Sequence, residues 1–225
     1  MTIELGLRER KKARTRQTIA DTALRLFTER GFDQVTVVEV ARQAEVSEAT
    51  LFNYFPTKED LLFSRMGTYE AQLVEAVRDR DSGTSVIAAL REFLLRPRDD
   101  RLSSRDSEFL ATMARMITGS PALLARERQV FADYTAELAA VLAEQTDAEP
   151  EDLAPWVVAN ALIGVHRAVL DSVRRRALSG QPNPSLARDV RFQAERALAL
   201  LDEGLGGYTK NNHRPRPVDG RSDRR

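Results

Sequence analysis

The run SEATLFNYFP, residues 47–56, sorts its side chains by chemistry through their spacing. Leu51 and Phe55 are four apart and can share one buried helix face. Glu48, Ala49, Thr50, Phe52, Asn53 and Tyr54 are left on or beside the outer face. Two aromatic rings, an amide and a hydroxyl make an odd solvated surface. They suit the major groove of DNA, where an amide can pair with adenine and a methyl or ring can touch the thymine methyl.

The flanking residues say how such a helix would be held. Ser47 is a good N-cap for it, and Pro56 ends it. Upstream, Thr36 opens another helix, with Glu39 at capping-box spacing. Val37, Val40, Ala41 and Ala44 put one apolar face on that helix. Glu45 and Val46 fill the turn between the two. Two short helices joined by a tight turn form a helix-turn-helix, whose second helix enters the groove. Thr57 with Asp60 then marks the start of a further helix.

The residues Ile19, Ala23, Leu26, Phe27, Gly31-Phe32, Thr36, Val40-Ala41, Ala44, Val46-Ser47, Thr50-Leu51, Tyr54-Phe55, Lys58 and Leu61-Leu62 agree in type and spacing with a known pattern. In them the stretch from Ile19 to Leu62, about a fifth of the chain, resembles the TetR family of bacterial transcriptional regulators. Two positions depart from that pattern. Glu45 stands where the family usually has Gly, and a Cβ is less comfortable there at positive φ. Glu48 stands where a neutral or basic residue is common; it can accept from a cytosine amino group or face solvent. The resemblance implies that Ala49, Thr50, Phe52 and Asn53 lie nearest the base edges, with Ser47 and Glu48 beside them. It implies that Tyr54 and Lys58 hold phosphates. Thr36, at a helix start, offers a hydroxyl and free backbone N–H groups to another.

Charge agrees with contact to double-stranded DNA, although the total over 225 residues is zero. Residues 1–66 carry net +1, residues 67–203 net −5 and residues 204–225 net +4. Arg8, Arg10, Lys11, Lys12, Arg14 and Arg16 precede and enter the first helix. Local patches govern phosphate binding, so Arg14 and Arg16 are expected in a DNA-facing arm. Cys is absent and only His166 and His213 are present, which removes thiolate chemistry and makes a metal site improbable. No cofactor is implied. No apolar run of 18 residues predicts a membrane span, and no signal peptide is expected, so the expected location is cytoplasmic.

The wider pattern predicts an all-α chain: a helix-turn-helix head over 1–57, a ligand-binding and dimerisation body over 58–205, and a disordered basic tail over 206–225. A long helix from Lys58 to about Arg80, with Leu62, Met66, Tyr69, Leu73 and Val77 apolar, joins head to body. Asp81-Ser82-Gly83 breaks it, and a short helix follows from Thr84 to about Leu95, before Pro97 and the charged cluster Arg98 to Arg101. Another ends at Gly119. Ser120-Pro121 starts the next as N-cap and N1, and it stops near Thr146. The eighth runs to about Leu178. Asn183-Pro184 caps the last, which ends at Gly204.

Phe93, Phe109, Met113, Met116, Phe131, Tyr134 and Trp156 are candidates to line an apolar cavity. Asn160, Arg167 and Arg115 could orient a ligand in it, and His166 could touch one. The effector would be small and hydrophobic, an acyl-CoA or other lipophilic molecule. The resemblance implies a homodimer on a palindromic operator, joined through the last two helices, with Leu162, Val165, Val169, Val173, Leu198 and Leu201 as candidates. The function expected is thus a ligand-released repressor. An all-helical enzyme lacks any catalytic constellation in the sequence. An effector-independent architectural DNA-binding protein is the alternative, and a body without a cavity would favour it.

Overall fold

The computed structural model describes residues 6–96, 104–179 and 186–205. Among these the chain forms nine helices and no strand. The head holds α1 (Leu7–Arg30), α2 (Val37–Gln43) and α3 (Glu48–Tyr54). The rest comprises α4 (Lys58–Arg78), α5 (Val86–Leu95), α6 (Ser104–Gly119), α7 (Pro121–Thr146), α8 (Ala154–Leu178) and α9 (Leu186–Leu205). The side chains of Met66 and Tyr69 lie outside the described residues, as do Pro97, the Arg98 to Arg101 cluster, Asn183-Pro184 and the tail from 206.

Local chemistry fixes the boundaries. Thr36 and Thr57 each close a full capping box, with Glu39 and Asp60. Ser47, Ser85 and Ser120 accept backbone N–H groups from the first turns of α3, α5 and α7. α5 therefore starts at Val86, two residues later than Thr84. α4 stops at Arg78, short of Arg80, because Arg80 folds back over the helix end. Its guanidinium donates to the Val77 carbonyl, which the ended helix leaves without a partner, and to the Thr84 carbonyl ahead of α5. α1 ends on Gly31, whose φ of +86° few other residues adopt.

Two apolar clusters carry the packing. Ile19, Ala23, Phe27, Val40, Leu51 and Phe55 of the head join Leu61 to Phe63 of α4, and this cluster continues into Ile117, Leu123 and Val130 of α6 and α7. The second gathers Leu73 and Val77 of α4, Ile87, Leu90 and Phe93 of α5, Phe131, Leu138 and Leu142 of α7, Leu162 of α8 and Leu198 of α9. α4 belongs to both, so its first half is fastened to the head and its second half to the body. At its first turn Asp60 closes the capping box with one oxygen and takes Arg126 of α7 on the other, at 2.7 Å. The body thus grips the helix that follows the helix-turn-helix.

α8 is the one helix among the described residues long and apolar enough to cross a bilayer by length and composition. It packs against α6, α7 and α9 and carries the buried His166.

Candidate nucleic-acid interface and body cavity

The turn between α2 and α3 is a Schellman motif. Val46 N–H donates to the Ala41 carbonyl at 3.0 Å and Glu45 N–H to that of Arg42 at 3.2 Å. Glu45 takes the left-handed position, φ +56°. The turn thus keeps the geometry that Gly would favour, with a Cβ in place. Leu51 and Phe55 are buried against the head core, and α3 presents Ser47, Glu48, Ala49, Phe52 and Asn53 to solvent. Thr50 is half-buried, and its hydroxyl shares a 2.8 Å hydrogen bond with Ser47. The open amide is therefore that of Asn53, with the Phe52 ring beside it.

Three of the other candidates have positioning contacts of their own. Arg16 donates to the Tyr54 carbonyl at 2.7 Å and lies 4.4 Å from the centre of the Phe55 ring. It pins α1 to the C-terminal end of α3, where a cation also meets the negative end of the helix dipole. The Lys58 ammonium sits 4.3 Å from the Phe32 ring centre, and burial lowers its pKa. Thr36 donates to Glu39, which also pairs with Arg30 at 3.0 Å. These bonds hold the Glu39 carboxyl below its usual pKa. Arg14 is exposed on α1, and Tyr54 is half-buried against the head core.

In the body, a cavity of about 200 Å³ opens between head and body. Ala20 and Leu24 of α1, Leu61, Leu62 and Ser64 of α4, Phe109, Leu110, Met113, Ala114 and Ile117 of α6, and Leu170, Val173 and Arg174 of α8 line it. Of the side chains the sequence suggests for a cavity, Phe109 and Met113 stand in its wall. Met116 lines a separate crevice with Phe27, Phe32 and Arg115. Phe93 and Phe131 are core, closed in the second cluster, and Tyr134 bridges the two clusters. Trp156 and Asn160 are not cavity residues: Trp156 is 48% exposed, and the exposed Asn160 amide donates to the Trp156 carbonyl. Arg115 and Arg167 are exposed, the latter 5.1 Å from the Phe131 ring centre. Leu24, Leu110 and Arg174 were not among the sequence candidates. Nothing in one chain order says that α1 and α8 share a wall.

Behind the cavity lies a buried polar group. Arg174 forks onto Glu127 of α7, one bond being 3.2 Å. Glu70 of α4 and His166 of α8 approach to 4.0 Å. Burial pushes the Glu70 carboxyl up to about 7, with the Glu127 charge acting the same way, and burial lowers His166 to about 4.

The dimer candidates also divide. Leu162, Val165 and Leu198 are buried inside their own subunit, and Val173 faces the cavity. Val169 and Leu201 are half-buried against the second cluster. The apolar side chains that α8 and α9 leave outward are Trp156, Val157, Leu178, Phe192 and Leu200. Among the described residues no group of His, Asp or Glu could hold a metal ion.

A helix-turn-helix head on an all-helical body defines a DNA-binding protein of the regulator class. Residues 19–64 match the model of bacterial regulatory proteins of the tetR family, and residues 84–203 match that of the MftR C-terminal domain. The chain belongs to the TetR family of transcriptional regulators. It is 29% identical to the HTH-type transcriptional regulator TcmR of Streptomyces glaucescens, over 65% of this chain and 67% of that one. It is 30% identical to a protein described as a mycofactocin biosynthesis transcriptional regulator, MftR, of Mycobacterium tuberculosis, over 69% of this chain and 78% of that one. It is 36% identical to the HTH-type transcriptional repressor KstR of Mycolicibacterium smegmatis, over 34% of this chain and 36% of that one.

Proposed function

We propose that this regulator is a homodimeric repressor, that α3 of each subunit reads one half of a palindromic operator, and that a small hydrophobic effector in the body cavity releases it. The cavity is the observation that carries this reading. Its wall includes Ala20 and Leu24 of α1 and Leu61, Leu62 and Ser64 of α4. A ligand there would touch the head's own first helix as well as the helix that links head to body. It changes operator affinity only if it fits one head arrangement better than the other. The same cavity weighs against an effector-independent architectural protein. The name of KstR, a repressor, supports the sign.

Dimerisation is supported by what α8 and α9 leave uncovered. Leu200 is 72% exposed, and Phe192, Val157 and Trp156 are exposed with it. Gly164 sits on the outer side of α8, and a Cβ there would meet nothing within 4 Å in its own subunit. Glycine in a helix interior costs roughly 0.5–1 kcal/mol relative to Ala, and close approach by a partner helix would offset that. The interface we propose therefore runs through these outward residues rather than through Leu162 or Leu198.

The test is binding of the full chain to DNA from just upstream of its own gene, with and without fractions of a lipophilic cell extract. Salt-sensitive, sequence-selective binding that one fraction abolishes is the expected result. Selective binding that no fraction disturbs would instead favour the architectural protein, and absence of selective binding would sink the operator-reading role of α3.

A further inference from the structure

We propose that the cavity between α1, α4, α6 and α8 takes a compact amphipathic carboxylate, with its apolar body against the α6 wall and its carboxylate on Arg174. This rests on reading the cavity as an effector site, and it names the ligand's chemistry. Among the described residues the walls from α1 and α6 are apolar: Ala20 and Leu24 on one side, and Phe109, Leu110, Met113, Ala114 and Ile117 on the other. α4 adds Leu61, Leu62 and the hydroxyl of Ser64. Among the described residues Arg174 is the charged group in the lining, and its side chain is only 12% exposed. A purely hydrocarbon ligand would gain nothing from a cation in its wall. A carboxylate would, because a guanidinium presents five donors and binds carboxylates in a fork.

The donors suffice. Glu127 engages two of them, and Asp171 lies 3.6 Å from one of the same nitrogens. Size is also restrictive. An engineered cavity of about 150 Å³ takes benzene, so one of about 200 Å³ takes a single ring or a short chain with its headgroup. The bulk of a coenzyme thioester would have to remain outside.

A second anion beside Arg174 raises the negative charge near Glu127 and Glu70. Among the described residues the groups facing that point are Glu70 of α4, Glu127 and Tyr134 of α7, and His166, Asp171 and Arg174 of α8, and α1 and α6 bring none to the cavity lining. Glu70 is 2% exposed, and its Oε2 accepts no hydrogen bond among the described residues. It is the group placed to take up a proton from solvent as the carboxylate enters, leaving the net buried charge unchanged. Binding is therefore proton-coupled and stronger on the acid side of neutrality.

Calorimetric titration of the full-length protein with octanoate and with octan-1-ol tests this. Octanoate is expected to bind at least about ten-fold tighter than the alcohol. Its binding heat should depend on the buffer's ionisation heat in the sense of proton uptake, and Glu70→Gln should abolish that dependence. Arg174→Gln alone leaves Glu127 buried without its cation and can fail to fold, so Arg174→Gln with Glu127→Gln is the variant to use. It should bind both probes equally. Equal affinity of the wild type for the two probes, no binding of octanoate, or a preference that survives in the double variant would each overturn the proposal. Operator binding is measured separately, so its persistence would show that the carboxylate site alone had failed.

Discussion

Asn53 and Glu70 show how differently two polar side chains can be placed for use. Asn53 is exposed on α3, and among the described residues nothing hydrogen-bonds its amide, while the neighbouring Thr50 hydroxyl is tied to Ser47. A bidentate amide–adenine contact discriminates by about 1–3 kcal/mol. Asn53→Ala should therefore weaken operator binding roughly ten-fold or more and leave random-sequence DNA almost unaffected. Parallel losses on both DNAs, read by fluorescence anisotropy, would remove Asn53 from base reading. Glu70 and His166 carry opposite pH dependences. Glu70, raised from 4.5 to about 7, favours the fold below pH 4.5, and that contribution is lost as pH rises towards 7. His166, lowered from 6.5 to about 4, favours the fold above pH 6.5, and that contribution is lost as pH falls towards 4. In the wild type the two slopes oppose each other over most of this range. Glu70→Gln should unmask the histidine: stability should climb from pH 4 to 6.5 and exceed wild type at pH 8, by up to about 3 kcal/mol. His166→Gln should show the reverse slope. A Glu70→Gln protein whose urea midpoints follow the wild-type pH profile would show that Glu70 does not carry the pH dependence.

At the scale of elements, the α2–α3 turn is held by backbone geometry that the side chain at its centre does not favour. Glu45 occupies the left-handed region at φ +56°, at a cost of about 1 kcal/mol or more for a residue with a Cβ. Gly removes that strain but adds freedom to the unfolded chain. Glu45→Gly should thus stabilise the protein by a few tenths to about 1 kcal/mol. Glu45→Val, β-branched at positive φ, should destabilise it by more than that. Thermal melts giving Val equal to or above Gly would rule out a strained turn. The same region shows what one sequence can disclose. Caps at Thr36, Ser47, Thr57 and Ser120 announce helix starts because capping is decided within four residues. The faces of α2 and α3 follow from spacing alone, so the side chains that α3 turns outward were legible. The cavity was not. Its walls come from α1, α4, α6 and α8, and periodicity gives the apolar face of each helix but not its neighbour. Trp156 illustrates the limit: it shares a helical stripe with Ile163 and Leu170, yet at the start of α8 the packed side is that of Pro155 and Val158, and Trp156 faces outward.

The whole molecule joins these scales through two helices that each do more than one task. α4 is fastened to the head by Leu61 and Leu62 and to the body by Leu73 and Val77, with Arg126 holding Asp60 at its first turn. α8 faces the cavity with Leu170, Val173 and Arg174, the core with Leu162, and solvent with Val157 and Gly164. If the outward faces of α8 and α9 meet a second copy, they set the distance between two heads, and a movement of α4 against α8 becomes a change in that distance. The proposal separates two kinds of substitution. Phe192→Asp with Leu200→Asp adds charge to exposed positions, so the fold should change by no more than about 0.5 kcal/mol per site. Its sedimentation should be that of a monomer, and its affinity for the full operator should fall by about 100-fold, because the second half-site no longer binds at high effective concentration. Its affinity for a single half-site should stay near that of one wild-type head. Leu162→Ala should do the opposite. It opens a void in the subunit's own core, costs about 2–5 kcal/mol of stability, and leaves association unchanged while the protein remains folded. A doubly charged variant that sediments like the wild type would show that the outward face of α9 is not the interface. Head spacing would then have to be set by surfaces other than α9.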